Sequence, residues 1–393
     1  MAIVVLPVGE RFVEVLLRPL FVTVLLTAFS LSASASGTSE IAAAIDKAAQ
    51  AAIAAGESPG LQVAVFKKGA PVLVKGYGVA SLELKVPVDN DSVFRIGSVT
   101  KQFTAAALLK LQEEGKLSIR DKLSKYYPQY PRAADITLAQ MLHHTSGLHS
   151  YTDDADLMER EGTLNLTTDQ WVQRFAKMPK TQDFEPGTSW HYSNTAYFVL
   201  GGVIEKVAGK PLATVFEERF FAPLGMRHTA LDDEKAIVPG RAAGYDGEGP
   251  GKFKNASMLS MTIPGAAGSM RSSATDLAKW NAALFGGSVL EPASLQAMIA
   301  PGRLNNGELS GTAIPKGDGT ERGEYGYGLG ISKVDGHTRI GHGGGIPGFN
   351  SSLQEFPDEH ITVAIIANSI GKDVGVAKIA RRIERIALGL PAQ

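Results

Sequence analysis

The spacing of apolar and polar residues along this chain changes period twice, and those changes outline its organisation. SEIAAAIDKAAQAAIAAG carries apolar residues at helical spacing and predicts a helix with Ser39 as N-cap and Gly56 as its stop. LQVAVFKKGAPVLVKGYGVAS then alternates like two strands around a turn at Lys67 to Pro71. Helical periodicity returns over 100–114, 137–143, 168–178, 196–207, 211–220, 273–284 and 292–299. Gly-, Pro- and Asp-rich stretches separate these helices, and the notable one, 232–266, reads as a loop. From Tyr325 onward YGYGLGISKV, HTRIGHGG, NSSLQEFP and HITVAIIAN read as strands. VAKIARRIERIALG closes the chain as an amphipathic helix with Ile379, Ile383 and Ile386 on one face. Strands at both ends and helices between them predict one antiparallel sheet made from the two termini, with a helical region inserted. A cleft between two such lobes is where a site is expected.

The first 35 residues have a different texture. Arg11 and Arg18 precede the apolar run LFVTVLLTAFSL, and Ala33-Ser34-Ala35 then offers an A-x-A cleavage site. That order predicts a secretory signal peptide over 1–35 and an exported protein, periplasmic or secreted, with no stable membrane span once the leader is removed. The run is short for a bilayer, and a buried helix or an uncleaved anchor are the competing readings.

Composition narrows the partners. The 393 residues are 44% hydrophobic and 20% charged, an ordinary globular balance. Lys+Arg of 39 against Asp+Glu of 40 leaves no basic surplus for nucleic acid. Cysteine is absent, which removes disulfides and thiolate chemistry together. No cofactor is expected.

Candidate chemistry begins in FRIGSVTKQF, where Ser98 precedes Lys101 by three at the mouth of an apolar helix. Side chains three apart on a helix are neighbours. A serine hydroxyl needs a base to become a nucleophile, and a lysine withdrawn from water loses proton affinity and can be that base. The plainer reading is a capping serine and a solvated lysine, since about one or two S-x-x-K pairs are expected by chance in such a chain. Ser369 and Lys372 form a second pair, between a late strand and the last helix.

In EPGTSWHYSNTAYF, Tyr192 and Asn194 lie on a loop just ahead of a helix. A phenol can relay protons if a nearby lysine lowers its pKa, and Asn194 offers a donor and an acceptor to a substrate amide. Alternatively Asn194 caps the helix and Tyr192 packs. In RIGHGGGIPGF, the glycines 343–345 after His342 let a backbone approach a ligand and offer N–H groups to an oxyanion; the competing reading is a flexible turn. H-G-G-G also marks lipase oxyanion loops, but the G-x-S-x-G here, Gly56 to Gly60, joins a helix to a strand rather than a strand to a helix. His143, His144 and His149 are close in sequence without an obvious acidic ligand, so a structural turn is expected there rather than a metal.

Taken in order, S-x-x-K at Ser98, Y-x-N at Tyr192 and H-G-G at His342 resemble one family. It is that of the class C β-lactamases, the low-molecular-mass penicillin-binding D,D-carboxypeptidases and the β-lactamase-like esterases. The likeness extends through ITLAQMLHHTSGL, PLGMRHT, SSATDLAKW and YGYGLGI. It implies a two-lobed α/β (α+β) fold with an antiparallel sheet flanked by N- and C-terminal helices. The sheet lobe would span about 36–96 and 305–393, and an all-helical lobe about 97–304. It also implies Ser98 as nucleophile, Lys101 as its proton acceptor and Tyr192 as a second acid/base. Asn194 would hold the substrate amide, the N–H groups of Ser98 and Gly345 would form the oxyanion hole, and the strand at His342, Gly343 and Gly344 would bind substrate edge-on. The family's β-lactamases usually carry K-T-G where this chain has H-G-G. A neutral histidine lacks the charge a β-lactam carboxylate wants, so weak β-lactamase activity at most is expected. The expected function is acyl transfer from a small amide or ester, a short peptide included; the alternative is a catalytically silent cell-wall-binding or scaffold protein with the same fold.

Overall fold

A computed structural model describes residues 20–311 and 323–392, with side chains from residue 37 onward. The expected leader therefore lies outside the described side chains; of it, only helical backbone from Leu20 is described. That helix, Leu20–Ala54, runs unbroken through Ser39, which is not a cap. Alanine and serine in the SASASG tract cost little helix propensity, so nothing there forces a break. Gly56 does end it, at φ 71°. Among the described residues no helix is long and apolar enough to cross a membrane.

Seven strands form the main sheet: β1 (Gly60–Lys67), β2 (Ala70–Gly78), β3 (Glu324–Tyr325), β4 (Gly330–Val334), β5 (His337–Ile346), β6 (Phe349–Phe356) and β7 (Ile361–Ala367). Their order is β2-β1-β7-β6-β5-β4-β3, and every neighbouring pair is antiparallel. Lys68 and Gly69, both at positive φ, make the tight turn between β1 and β2. β1 pairs with β7 from Leu61↔Ala367 to Lys67↔Ile361, so the sheet is closed by joining the two ends of the chain. Both are buried on both faces, and their alternation divides two cores. Val63, Val65, Val363 and Ile365 meet Ala48, Ala49 and Ala52 of the N-terminal helix and Ile379, Ile383 and Ile386 of the C-terminal helix Val376–Ala387. Ala64, Phe66, Ala364 and Ile366 face the helical lobe. Each isoleucine buried this way is worth about 1.5–3 kcal/mol.

The helical lobe follows the sequence pattern with ends shifted by a few residues, as in Thr100–Glu113, Thr168–Phe175 and Ala274–Phe285. Phe103, on the first of these, stacks on Trp280 with ring centroids 3.9 Å apart. The stretch 232–266 departs from its expectation as a loop. Tyr245–Gly249 and Lys252–Asn255 form a hairpin, and the first of them pairs parallel with Ser369–Gly371. Strands this short and glycine-rich carry too little alternation to be read in advance. Helix Ala155–Glu161 was also unexpected; of its residues only Leu157 is buried, so it leaves almost no apolar period.

Candidate active site

Phe94–Arg95 pairs with Met270–Ser272, and Gly97 at φ 50° then turns the chain into a single 3₁₀ turn that carries Ser98 into helix Thr100–Glu113. A Cβ on Gly97 would stand 2.9 Å from the Gly345 nitrogen, and one on Gly344 would stand 1.9 Å from the Ile96 carbonyl oxygen. Ser351 Oγ donates to that same carbonyl at 2.8 Å. The glycine run of β5 thus lets its backbone lie against the turn that bears Ser98. A flexible turn is not what these glycines make.

Lys101 is fully buried. Its Nζ lies 2.7 Å from Asn194 Oδ1, 2.7 Å from the Ala267 carbonyl oxygen and 3.1 Å from Ser98 Oγ. None of these is a carboxylate, and burial holds the ammonium well below its ordinary 10.5. A neutral amine has two N–H bonds and one lone pair. The amide and carbonyl oxygens can only accept, so they take both N–H bonds; the lone pair is left for the Ser98 hydroxyl to donate to.

Ser193, not Asn194, caps helix Asn194–Ala208, its Oγ accepting from the Ala196 amide. Asn194 is therefore free to face Lys101, and Asn194 Nδ2 donates to Thr152 Oγ1 at 3.0 Å. The Tyr192 ring centroid is 4.7 Å from Lys101 Nζ. Its hydroxyl is buried without a hydrogen-bond partner of good geometry, although Ser98 is near enough to pull its pKa back. The expectation that lysine lowers this phenol's pKa is overturned. Burial pushes the phenol up, because desolvation penalises the charged phenolate. Tyr192 is a protonated acid at neutral pH.

His342 is held from two sides: Nε2 lies 2.9 Å from the Tyr325 hydroxyl, and Nδ1 contacts the Gly343 carbonyl. The carbonyl can only accept, so Nδ1 carries the proton and Tyr325 donates to Nε2. Burial brings His342 down to about 4. His342 is thus neutral at pH 7. Tyr325, the first residue of YGYGLGI, is a site residue that no catalytic motif announces. His144 is another: its Nδ1 accepts the Ser193 amide at 3.1 Å, and its ring lies 4.3 Å from Tyr192 and 4.7 Å from Tyr325. It positions the tyrosine loop.

The other candidates fall away. His143 and His149 turn to the Tyr325 carbonyl and to Asp183, away from any shared point. Among the described residues no His/Cys/Asp/Glu cluster is placed to hold a metal. Ser58, in the G-x-S-x-G, is buried and donates to the Gly60 carbonyl.

The chain matches the Beta-lactamase family over residues 45–388, and it belongs to that family, hence to the serine hydrolases. A penicillin-binding protein of Bacillus subtilis is 26% identical over 336 residues, 80% of this chain and 69% of that one. The D-amino acid amidase of Ochrobactrum anthropi SV3 superposes with a TM-score of 0.78 at 25% identity, covering 89% of this chain and 99% of that one. A D-stereospecific amidohydrolase from Streptomyces sp. does so at 0.73 and 30% identity, with 89% and 99% covered.

Proposed function

We propose that this chain is an exported hydrolase that forms an acyl-enzyme on Ser98 from small amides or esters, D-configured amino-acid amides and short peptides foremost. The contact set of Lys101 carries this reading: a buried amine with no carboxylate, its lone pair left to the Ser98 hydroxyl. Ser98 Oγ attacks the substrate carbonyl while its proton passes to Lys101 Nζ. The N–H groups of Ser98 and Gly345 hold the oxyanion, and Asn194 steadies the acyl amide. Collapse breaks the bond to the leaving nitrogen or oxygen, which takes a proton from Tyr192, and Tyr192 recovers one from Lys101. Water then repeats the sequence on the acyl-enzyme. The two amidases named above favour an amide of a D-amino acid. A neutral His342 favours substrates without a carboxylate beside the scissile bond, and so disfavours penicillins.

Incubation with a fluorophosphonate, then peptide mapping, tests the nucleophile. Label on Ser98, together with turnover of D-phenylalanine amide or 4-nitrophenyl butyrate, is the expected result. No label and no turnover would favour a silent binding protein. Export is tested separately by the N-terminus of the mature protein, expected at Ser36.

A further inference from the structure

Beside the cleft, a cavity of about 290 Å³ is lined by Arg95, Arg241 and Arg271. All three reach one carboxylate, Asp232, whose side chain is only 2% exposed, at 2.8, 2.8 and 3.2 Å. Glu234 also lines the cavity, and its carboxylate accepts the Met261 amide. Three guanidiniums against two carboxylates leave an excess of positive charge. Donors are left over as well. Among the described residues, Nη1 and Nη2 of Arg95 and Nε and Nη2 of Arg271 make no hydrogen bond, and the buried Nε of Arg241 has no partner. A clamp that merely tied 232–241 to the nucleophile strand would need one guanidinium, not three.

The cavity adjoins the chemistry. Arg95 stands three residues before Ser98, Arg271 four after Ala267, and Phe349 on the opposite wall pairs with Ile346, next to Gly345. Three or four residues span at most about 10–13 Å, and less here, where the 3₁₀ turn Gly97–Val99 and the helix Gly265–Gly268 shorten the path. Phe349, Leu259 and the exposed Met258 add apolar surface to the arginine end.

We propose that this cavity is a subsite for a carboxylate carried at the far end of the substrate's acyl chain, the chain lying along Phe349 and Met258. The proposal rests on the acyl-transfer reading of Ser98. It leaves His342 as the neutral side of the cleft and makes the arginine cavity the anion-binding side.

The test is a series of 4-nitrophenyl monoesters of the dicarboxylic acids from succinic to suberic, each against the neutral acyl ester of equal length. The expected ratio of kcat/KM, carboxylate over neutral, exceeds about tenfold at the length that spans the gap, and falls toward one in high salt and in Arg241→Gln. A ratio at or below one at every length overturns the subsite, as does a ratio indifferent to both salt and Arg241→Gln. If neither ester series is turned over, the acyl-transfer reading fails instead. Calorimetric titration of suberate then decides the subsite alone: binding lost in Arg241→Gln but kept in Arg241→Lys supports it, and no binding to the wild-type protein overturns it.

Discussion

The chain writes serine-x-x-lysine twice, at Ser98–Lys101 and at Ser369–Lys372, and the two copies could hardly differ more. The first straddles a 3₁₀ turn and a helix start, so the side chains meet; the lysine is fully buried and its Nζ lies 3.1 Å from the serine hydroxyl. The second begins on a strand, Ser369–Gly371, where residues three apart point to opposite faces. Ser369 spends its hydroxyl on Ser58 at 3.0 Å, and Lys372 is exposed. Four letters of sequence carry no chemistry by themselves. Backbone period and burial decide whether a lysine is a base or a solvated charge.

Serine substitution should separate the two pairs most strongly. Ser98→Ala is expected to abolish fluorophosphonate labelling and to lower kcat/KM by about 10⁴-fold or more. Ser369→Ala, which loses one buried hydrogen bond, should cost about 1 kcal/mol of stability and leave labelling intact. Intact-protein mass and thermal melts read both.

Lysine substitution gives the next largest contrast. Lys101→Met should lower kcat/KM by about 10³-fold, as loss of a proton acceptor does. It should also stabilise the protein, raising Tm by about 1–2 °C for each kcal/mol no longer spent on burying an amine. Lys372→Met should change neither. A destabilised Lys101→Met would contradict the account of that residue.

The pH dependence sharpens the same point. The base must be unprotonated, so kcat/KM should rise with pH through the depressed pKa of Lys101 and then level off, since the Tyr192 phenol stays protonated. Stability should rise with pH over the window between that pKa and 10.5, because the unfolded chain binds the extra proton there; Lys101→Met removes this slope. At the acid end His342, folded near 4 against 6.5, should cost stability as pH falls from 6.5 to 4.

The smallest expected effect is at Tyr325. Tyr325→Phe removes one hydrogen bond from His342, worth about 0.5–1.5 kcal/mol, so KM should rise by up to about tenfold with little change in kcat. A loss confined to kcat would mean that His342 acts in the chemistry itself.

Much of this was legible in the sequence. The apolar periods of β1, β7 and the C-terminal helix are strong because both faces of the strands, and one whole face of the helix, are buried. The motifs at Ser98 and Tyr192 could be ordered because they sit just ahead of helix starts, and the one at His342 because three glycines in a row inside a strand stand out. Other features needed coordinates. Tyr325 and His144 act through ring contacts between distant segments, which leave no period. The hairpin at 245–255 pairs with Ser369–Gly371 across more than a hundred residues. The direction of the Tyr192 shift comes from burial, which the motif around it does not show.

Burial holds Lys101 well below the ordinary lysine range, and its own titration tests this most directly. Lysine labelled with ¹³C at the ε carbon, assigned by the resonance missing from Lys101→Met, can be followed by NMR across the pH range. The account predicts one lysine resonance, that of Lys101, titrating well below 10.5. A Lys101 resonance that titrates at 10.5 or above would contradict it.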